Sequence, residues 1–287
     1  MSTLGTTIRP APPPQHGSRI LRLGIVRIGY EIRMYFRSPD TVFFTFLFPF
    51  ILLGIFSAAF GSDGNMGTNP DGSGGVSVAT YFLPGLVAAG MFLSGVQNLA
   101  IDIATEKSDG TLKRLGGTPL SPLSYFAGKI GQVFVTATLQ AGLLVLFAAV
   151  VLDVPLPTEP AKWLTFTWVF LLGVITSVFV GIALSAVPRS GRSASAVVIP
   201  VALVLQFISG VYLQFTALPG WMQNLAGLFP LKWMAQGMRS VFLPENFAAV
   251  EQTGTWNLAG VALALLIWLV LGLVLSRLSF RWIRRNA

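Results

Sequence analysis

Six long apolar runs alternate with polar stretches along this chain, and each run is about as long as a bilayer core requires, roughly 20 residues. They cover 41–60, 80–101, 129–152, 163–187, 194–213 and 256–276. Each predicts a membrane-spanning helix. Pro49 and Pro200 fall inside runs. Neighbouring helices can satisfy the backbone groups that a proline frees, so both are compatible with spans.

The pattern changes ahead of the first run. Leu21, Ile25, Ile28, Ile32 and Tyr35 recur at helical spacing, with Phe36 alongside. Arg19, Arg22, Arg33 and Arg37 fall on the opposite side, and Arg27 lies nearer the margin. This predicts an amphipathic helix at the membrane surface, anchoring the chain or packing against a cytoplasmic loop. Residues 1–17 hold Pro10, Pro12, Pro13 and Pro14 and predict a flexible tail. The start lacks the compact apolar core and small-residue cleavage site of a signal peptide, so the N-terminus is expected to be kept. The expected organisation is a tail over 1–17, an interfacial helix over 18–38 and a six-span domain over 39–287.

Two stretches between runs differ in kind. Residues 61–78 are rich in Gly, Asn, Asp and Ser and predict a flexible turn region. Residues 214–255 are too polar and Pro-broken to span, yet too apolar to float in water. They predict re-entrant or interfacial short helices at the outer leaflet, with Trp221 and Trp233 at headgroup depth.

The most polar interruption is 102–122, between the second and third runs. The second helix is expected to continue to about Lys107. Ser108 or Asp109 caps a short helix over 110–115, Gly116 and Gly117 stop it, and Pro119 and Pro122 prevent continuation. That helix is expected to offer Leu112 and Leu115 on one side, with Lys113 and Arg114 beside them. Held on two long helices, it is a lever.

Charge sets the expected orientation. Of nineteen Lys and Arg, only Lys162, Lys232 and Arg239 fall on the side of the outer loops. The other sixteen share a side with the N-terminus, and the basic side of a membrane protein faces the cytoplasm. Both termini are therefore expected inside. The net charge of +8 is first a topology signal, and its dispersal along membrane edges argues against a nucleic-acid partner. Composition agrees: 53% of residues are hydrophobic, 10% are charged, and mean hydropathy is +0.71. The chain has no cysteine, which excludes disulfide and thiol chemistry, and its one histidine, His16, lies in the tail.

Candidate chemistry is sparse. No G-x-x-x-x-G-K-[ST] phosphate loop is present, so the chain is not expected to bind ATP itself. It also lacks H-E-x-x-H and G-x-S-x-G. Asp102, Glu106 and Asp109 make a poor metal site. They better suit a helix N-terminus or an ion pair with a partner's Arg, and no metal is expected. Polar residues in the spans are few, and Gln97, Asn98, Gln140 and Gln206 stand out among them. Each either lines a substrate path or hydrogen-bonds another helix, and the second use is the commoner. No charged residue occupies a span centre, unlike a proton-coupled carrier.

At the polar loop, Glu106-Lys107-Ser108-Asp109-Gly110-Thr111-Leu112 followed by Thr118-Pro119-Leu120-Ser121 resembles the cytoplasmic signature of type-2 ABC exporter permeases. A second likeness runs from Leu218-Pro219 through Pro230-Leu231 to Met238-Arg239. Lys107-Ser108-Asp109 departs from the stronger alternation of basic and acidic residues often seen there. The family, which includes bacterial drug, lipid and polysaccharide exporters, implies an all-α integral membrane fold with six transmembrane helices. It implies a homodimer or heterodimer of permease subunits in the bacterial cytoplasmic membrane, above separate cytosolic ATPase subunits that hold ATP and Mg. It makes the loop a coupling helix at the ATPase interface. Glu106, Gly110, Thr111, Leu112, Lys113, Arg114, Leu115, Thr118 and Pro119 are its implied contact residues. The resemblance also places the amphipathic helix beside the coupling helix and lines the path with spans two and five.

The function expected is therefore export of an apolar or amphiphilic cargo (drug, lipid or glycoconjugate) by a permease without its own cofactor. The alternative is a non-transporting interaction or regulatory subunit of the same fold. A membrane-embedded enzyme ranks third, because no nucleophile–base set is visible in the spans.

Overall fold

The computed structural model describes residues 16–61, 64–67, 75–118, 120–188 and 190–279, with side chains described from residue 22 onward except at 250. The tail expected over 1–17, all but its last two residues, lies outside the described residues, as do the Leu21 side chain and Pro119.

Helix α1 spans His16–Phe36. Six helices among the described residues are long and apolar enough to cross a membrane. They are α2 (Pro39–Phe60), α3 (Val78–Ser108), α5 (Pro122–Val151), α6 (Pro160–Leu184), α7 (Gly191–Ile208) and α10 (Leu258–Ser279). The short helix α4 (Thr111–Gly116) joins α3 to α5. Helices α8 (Gly220–Gly227) and α9 (Pro230–Phe242) lie between α7 and α10. Except for one antiparallel bridge between Met66 and Val76, no strand pairing occurs among the described residues. The chain is an all-helical, multi-pass membrane protein.

Local chemistry starts these helices where they start. Proline opens α2, α5, α6 and α9, where its missing N–H costs nothing. Ser77 and Ser121 accept from the backbone N–H groups of Thr80 and Ser124. Ser190 and Ser193 cap α7 reciprocally.

Helix α3 is the hub. In its most apolar stretch 94% of residues are buried, against 17% for α2 and for α10. It packs on α5, α6 and α9, while α1 lies along α5 and α10 along α6. The α3–α6 crossing is close because small residues meet there. A Cβ on Gly181 would fall 2.0 Å from the Gly95 carbonyl oxygen. With no water to expel between lipid-soluble helices, such close backbone approach is a main source of association.

Of the two alternatives expected for 214–255, re-entrant or interfacial, helix α9 suits the re-entrant one. All but one of its thirteen residues are buried, against α3, α6 and α10. Trp221 on α8 is 64% exposed, whereas the Trp233 indole turns back to donate to the Gly227 carbonyl at 2.8 Å. In the 61–78 stretch, Met66 and Val76 exchange both backbone hydrogen bonds, at 2.8 and 3.0 Å.

Candidate functional site

The polar loop becomes a hinge, a short helix and a stop. Gly110 is left-handed at φ +80°, a conformation that L side chains resist, and it forms the N-terminal boundary of α4. The capping expectation is corrected in this detail. Asp109 sits one residue before the cap, and its Oδ1 accepts from the Thr111 N–H at 2.8 Å. Hydrogen bonding from the Thr111 side chain, and then from its N–H, lowers the Asp109 pKa. Arg114 donates to the Thr111 hydroxyl at 2.9 Å, and Gly117 closes the helix. Lys113, Arg114 and Thr118 are exposed, while Thr111, Leu115 and Gly116 are half-buried.

Leu112 departs from the expectation of an outward apolar contact. It is 6% exposed and faces the protein, while Leu115, the other leucine of this six-residue helix, is only half-buried. Ser108, at the base of the loop, accepts from the Gly191 N–H at 3.0 Å and so joins the loop to the start of α7.

Glu106 also departs from expectation. Its carboxylate points into the bundle, accepting from Tyr125 Oη at 2.6 Å and from Lys129 Nζ at 2.8 Å. Lys129 is fully buried, two turns inside α5. Its ammonium also donates to Glu31 at 2.9 Å and to Asp102. Arg27 pairs with Glu31 at 2.5 Å and lies 3.8 Å from Glu106. Five charged side chains from α1, α3 and α5 thus share one centre. Candidate ligand oxygens of Glu31, Asp102 and Glu106 lie within 4.8 Å of one another, but the Lys129 ammonium already donates a hydrogen bond to each. Desolvating these charges is costly, and only mutual pairing of this kind offsets it.

Sequence reasoning missed Glu31, Tyr125 and Lys129. The signal was present in two of them. Glu31 is the one acid of the arginine-rich helix, and Lys129 is the one charge in all of α5. A lone charge on an apolar helix calls for an opposite charge elsewhere. The packing line of α1 shifts to suit. Gly24, Arg27, Ile28 and Glu31 meet α5 at Ala127, Gly128, Lys129 and Gly131, while Ile25 is left 68% exposed and Ile32 half-buried.

A cavity of about 990 Å³ opens beside this cluster. Residues of α1, α2, α3 and α7 line it, and Gln97, Asn98 and Gln206 are among them. Two π-helical turns, Phe43–Leu47 in α2 and Leu93–Asn98 in α3, face each other at its wall. Such wide turns occur often at functional sites. Thr45 bridges them, accepting from Asn98 Nδ2 at 3.3 Å and from Tyr35 Oη at 2.6 Å. Gln206 is held by Tyr212 at 2.5 Å and by its own helix at Ala202. Gln140 is separate. It is 1% exposed, packs on Gly90, and neither polar atom of its amide has a hydrogen-bond partner among the described residues.

Six bilayer-length helices, a short polar helix between the second and third, and a buried helix before the last define a membrane permease. The family model described as "ABC-2 family transporter protein" matches residues 65–278, and the chain belongs to that family. Helices α1 and α2 both precede the matched region. The chain is also similar to the probable multidrug ABC transporter permease YbhR of Escherichia coli, in strain K12 and in O157:H7. Identity is 21% over 178 residues, which is 62% of this chain and 48% of the relative. The chain spans about half the length of the curated relatives it matches.

Proposed function

We propose that this chain is the membrane subunit of an ATP-driven exporter, powered by a separate cytosolic ABC ATPase. The observation that carries the reading is the wiring of the α4 loop. Glu106 ties its stem to α1 and α5, and Ser108 ties its base to α7. A push on α4 is therefore delivered to α1, α3, α5 and α7 together, and α1, α3 and α7 line the cavity. Family membership implies the ATPase partner, on which ATP and Mg reside.

The α4 side faces the cytoplasm of a bacterial cell, by the distribution of basic residues. Lys113, Arg114 and Thr118 form the exposed contact with the ATPase, Leu112 seats the helix, and Glu106 transmits rather than touches. A second permease subunit completes the translocator. Cargo enters the cavity from the cytoplasm or inner leaflet, past Gln97, Asn98 and Gln206.

The test is co-expression with an ABC ATPase encoded beside this gene, then reconstitution in vesicles. The expected result is a stable complex with vanadate-sensitive ATP hydrolysis and ATP-dependent cargo flux. Transport by the isolated chain on an ion gradient alone would sink the reading. ATPase binding without any flux would favour the regulatory alternative.

A further inference from the structure

The chain carries a net charge of +8, yet its large cavity is acidic. Glu31, Asp40, Asp102, Glu106 and Asp109 line it, against Arg27 as the sole basic residue of the lining among the described residues. Setting Arg27 and the buried Lys129 behind the wall against these acids leaves three carboxylate charges over. Asp40 makes no ion pair among the described residues, and the Asp102 side chain is 48% exposed although it pairs with Lys129. Besides neutral polar residues such as Gln97, Asn98 and Gln206, the wall has apolar and aromatic faces, with Tyr30, Tyr35, Phe44 and Phe48 from α1 and α2 and Ile199 and Leu203 from α7.

We infer that the cavity selects amphiphilic organic cations, a reading that rests on its being the cargo site of the exporter. Three observations meet here. The volume of about 990 Å³ suits a drug-sized molecule. Low-dielectric walls focus the field of the surplus carboxylates and enrich cations inside. Aromatic faces attract a cation further and cover its apolar body. An anionic amphiphile of the same shape meets the same walls but is repelled. The cationic centre sits toward Asp40 and Asp102, the body against the aromatic and aliphatic wall.

The test uses two probes of nearly the same shape and opposite charge, tetraphenylphosphonium and tetraphenylborate. Saturable binding to the full chain in nanodiscs is measured by equilibrium dialysis against empty nanodiscs. The cation is expected to bind, and the anion at least about tenfold more weakly. Asp40→Asn breaks no ion pair among the described residues and is expected to weaken the cation about tenfold while leaving the fold intact. Asp102→Asn should do the same, since Lys129 keeps Glu31 and Glu106. Equal binding of both probes, no saturable cation binding, or unchanged affinity in both variants would overturn the inference. Saturable cation binding without ATP-driven flux would uphold it and remove the exporter reading instead.

Discussion

Two charged clusters occupy opposite ends of the helix bundle, and they are wired differently. At the α4 end, Lys129 joins partners 98, 27 and 23 residues away, on two other helices. At the far end, Arg239 pairs with Glu251 only 12 residues on, and Lys232 donates to Gln236 one helical turn away. The far cluster braces one segment against itself. Gln236 passes the link no further than the Trp256 carbonyl, at 2.8 Å. The near cluster fastens three elements that come from separate parts of the chain. Both are largely buried, so burial does not separate them. What separates a joint from a brace is the number of independent elements that share the charge.

The comparison breaks first at Lys129. Lys129→Met leaves Glu31, Asp102 and Glu106 facing one another without their common cation. The expected cost is about 3–5 kcal/mol, the usual penalty for stranding buried charge. Thermal unfolding in detergent should show a large fall in midpoint, and ATPase stimulation by the reconstituted permease should vanish. Lys129→Arg should recover part of both. If Lys129→Met unfolded normally, the near cluster would be ornament.

The far cluster should respond differently. Glu251→Gln keeps an acceptor for Arg239 but removes the charge, at an expected cost of roughly 2–3 kcal/mol. Stability should fall, yet transport per ATP hydrolysed by the surviving protein should stay constant. A change in that ratio would show that the brace transmits force as well.

Glu106→Gln sharpens the contrast from the other side. Tyr125 and Lys129 keep a hydrogen-bonding partner, and Lys129 keeps two carboxylates. The stability cost should be only about 1–2 kcal/mol. The ATPase should still bind through Lys113 and Arg114, while transport per ATP falls. Loss of ATPase binding itself would return Glu106 to the partner interface.

These differences mark what the amino-acid order makes legible. The six spans were readable because an apolar run of bilayer length has few alternatives in water or lipid. The short helix was readable because Gly116, Gly117 and Pro122 punctuate it. Its facing was not. Six residues make under two turns, and whether Leu112 or Leu115 turns inward depends on a bundle that local pattern does not describe. The charge centre was hidden for a related reason. Lys129 alone resembles any cation at a membrane edge, and Glu31 alone resembles any surface acid. Only the packing of α1 on α5, through Gly24, Gly128 and Gly131, brings them within 2.9 Å. The polar span residues divide likewise, because depth in the bundle is a tertiary property. Asn98 and Gln206 reach the cavity wall and Gln140 does not.

Lys232 offers a smaller, pH-dependent test. It lies outside the spans, 1% exposed, with its ammonium 3.9 Å from the Trp233 ring. Burial pushes its pKa down to about 8 from 10.5, partly countered by Glu251. Between those values the unfolded chain holds the proton more firmly, so folding stability rises as pH rises through that window. From pH 7 to 9 the gain should be on the order of 1 kcal/mol. Lys232→Met should flatten that slope of midpoint against pH, and a slope unchanged by the variant would assign it to other groups.

The smallest expected effect concerns a polar residue wired to neither cluster. Gln140 buries an amide whose oxygen and nitrogen both lack partners among the described residues. A buried polar group without a hydrogen bond is a net cost, so an apolar side chain of similar length should be neutral or stabilising. Gln140→Met is expected to raise the unfolding midpoint slightly, by no more than about 1 kcal/mol, and to leave transport per ATP unchanged. Asn98→Leu, which removes the bridge to Thr45 at the cavity wall, should lower transport at similar stability. If instead Gln140→Met abolished transport, the path would run through the α3–α5 contact. The cavity beside the Lys129 centre would then be a side chamber rather than the route.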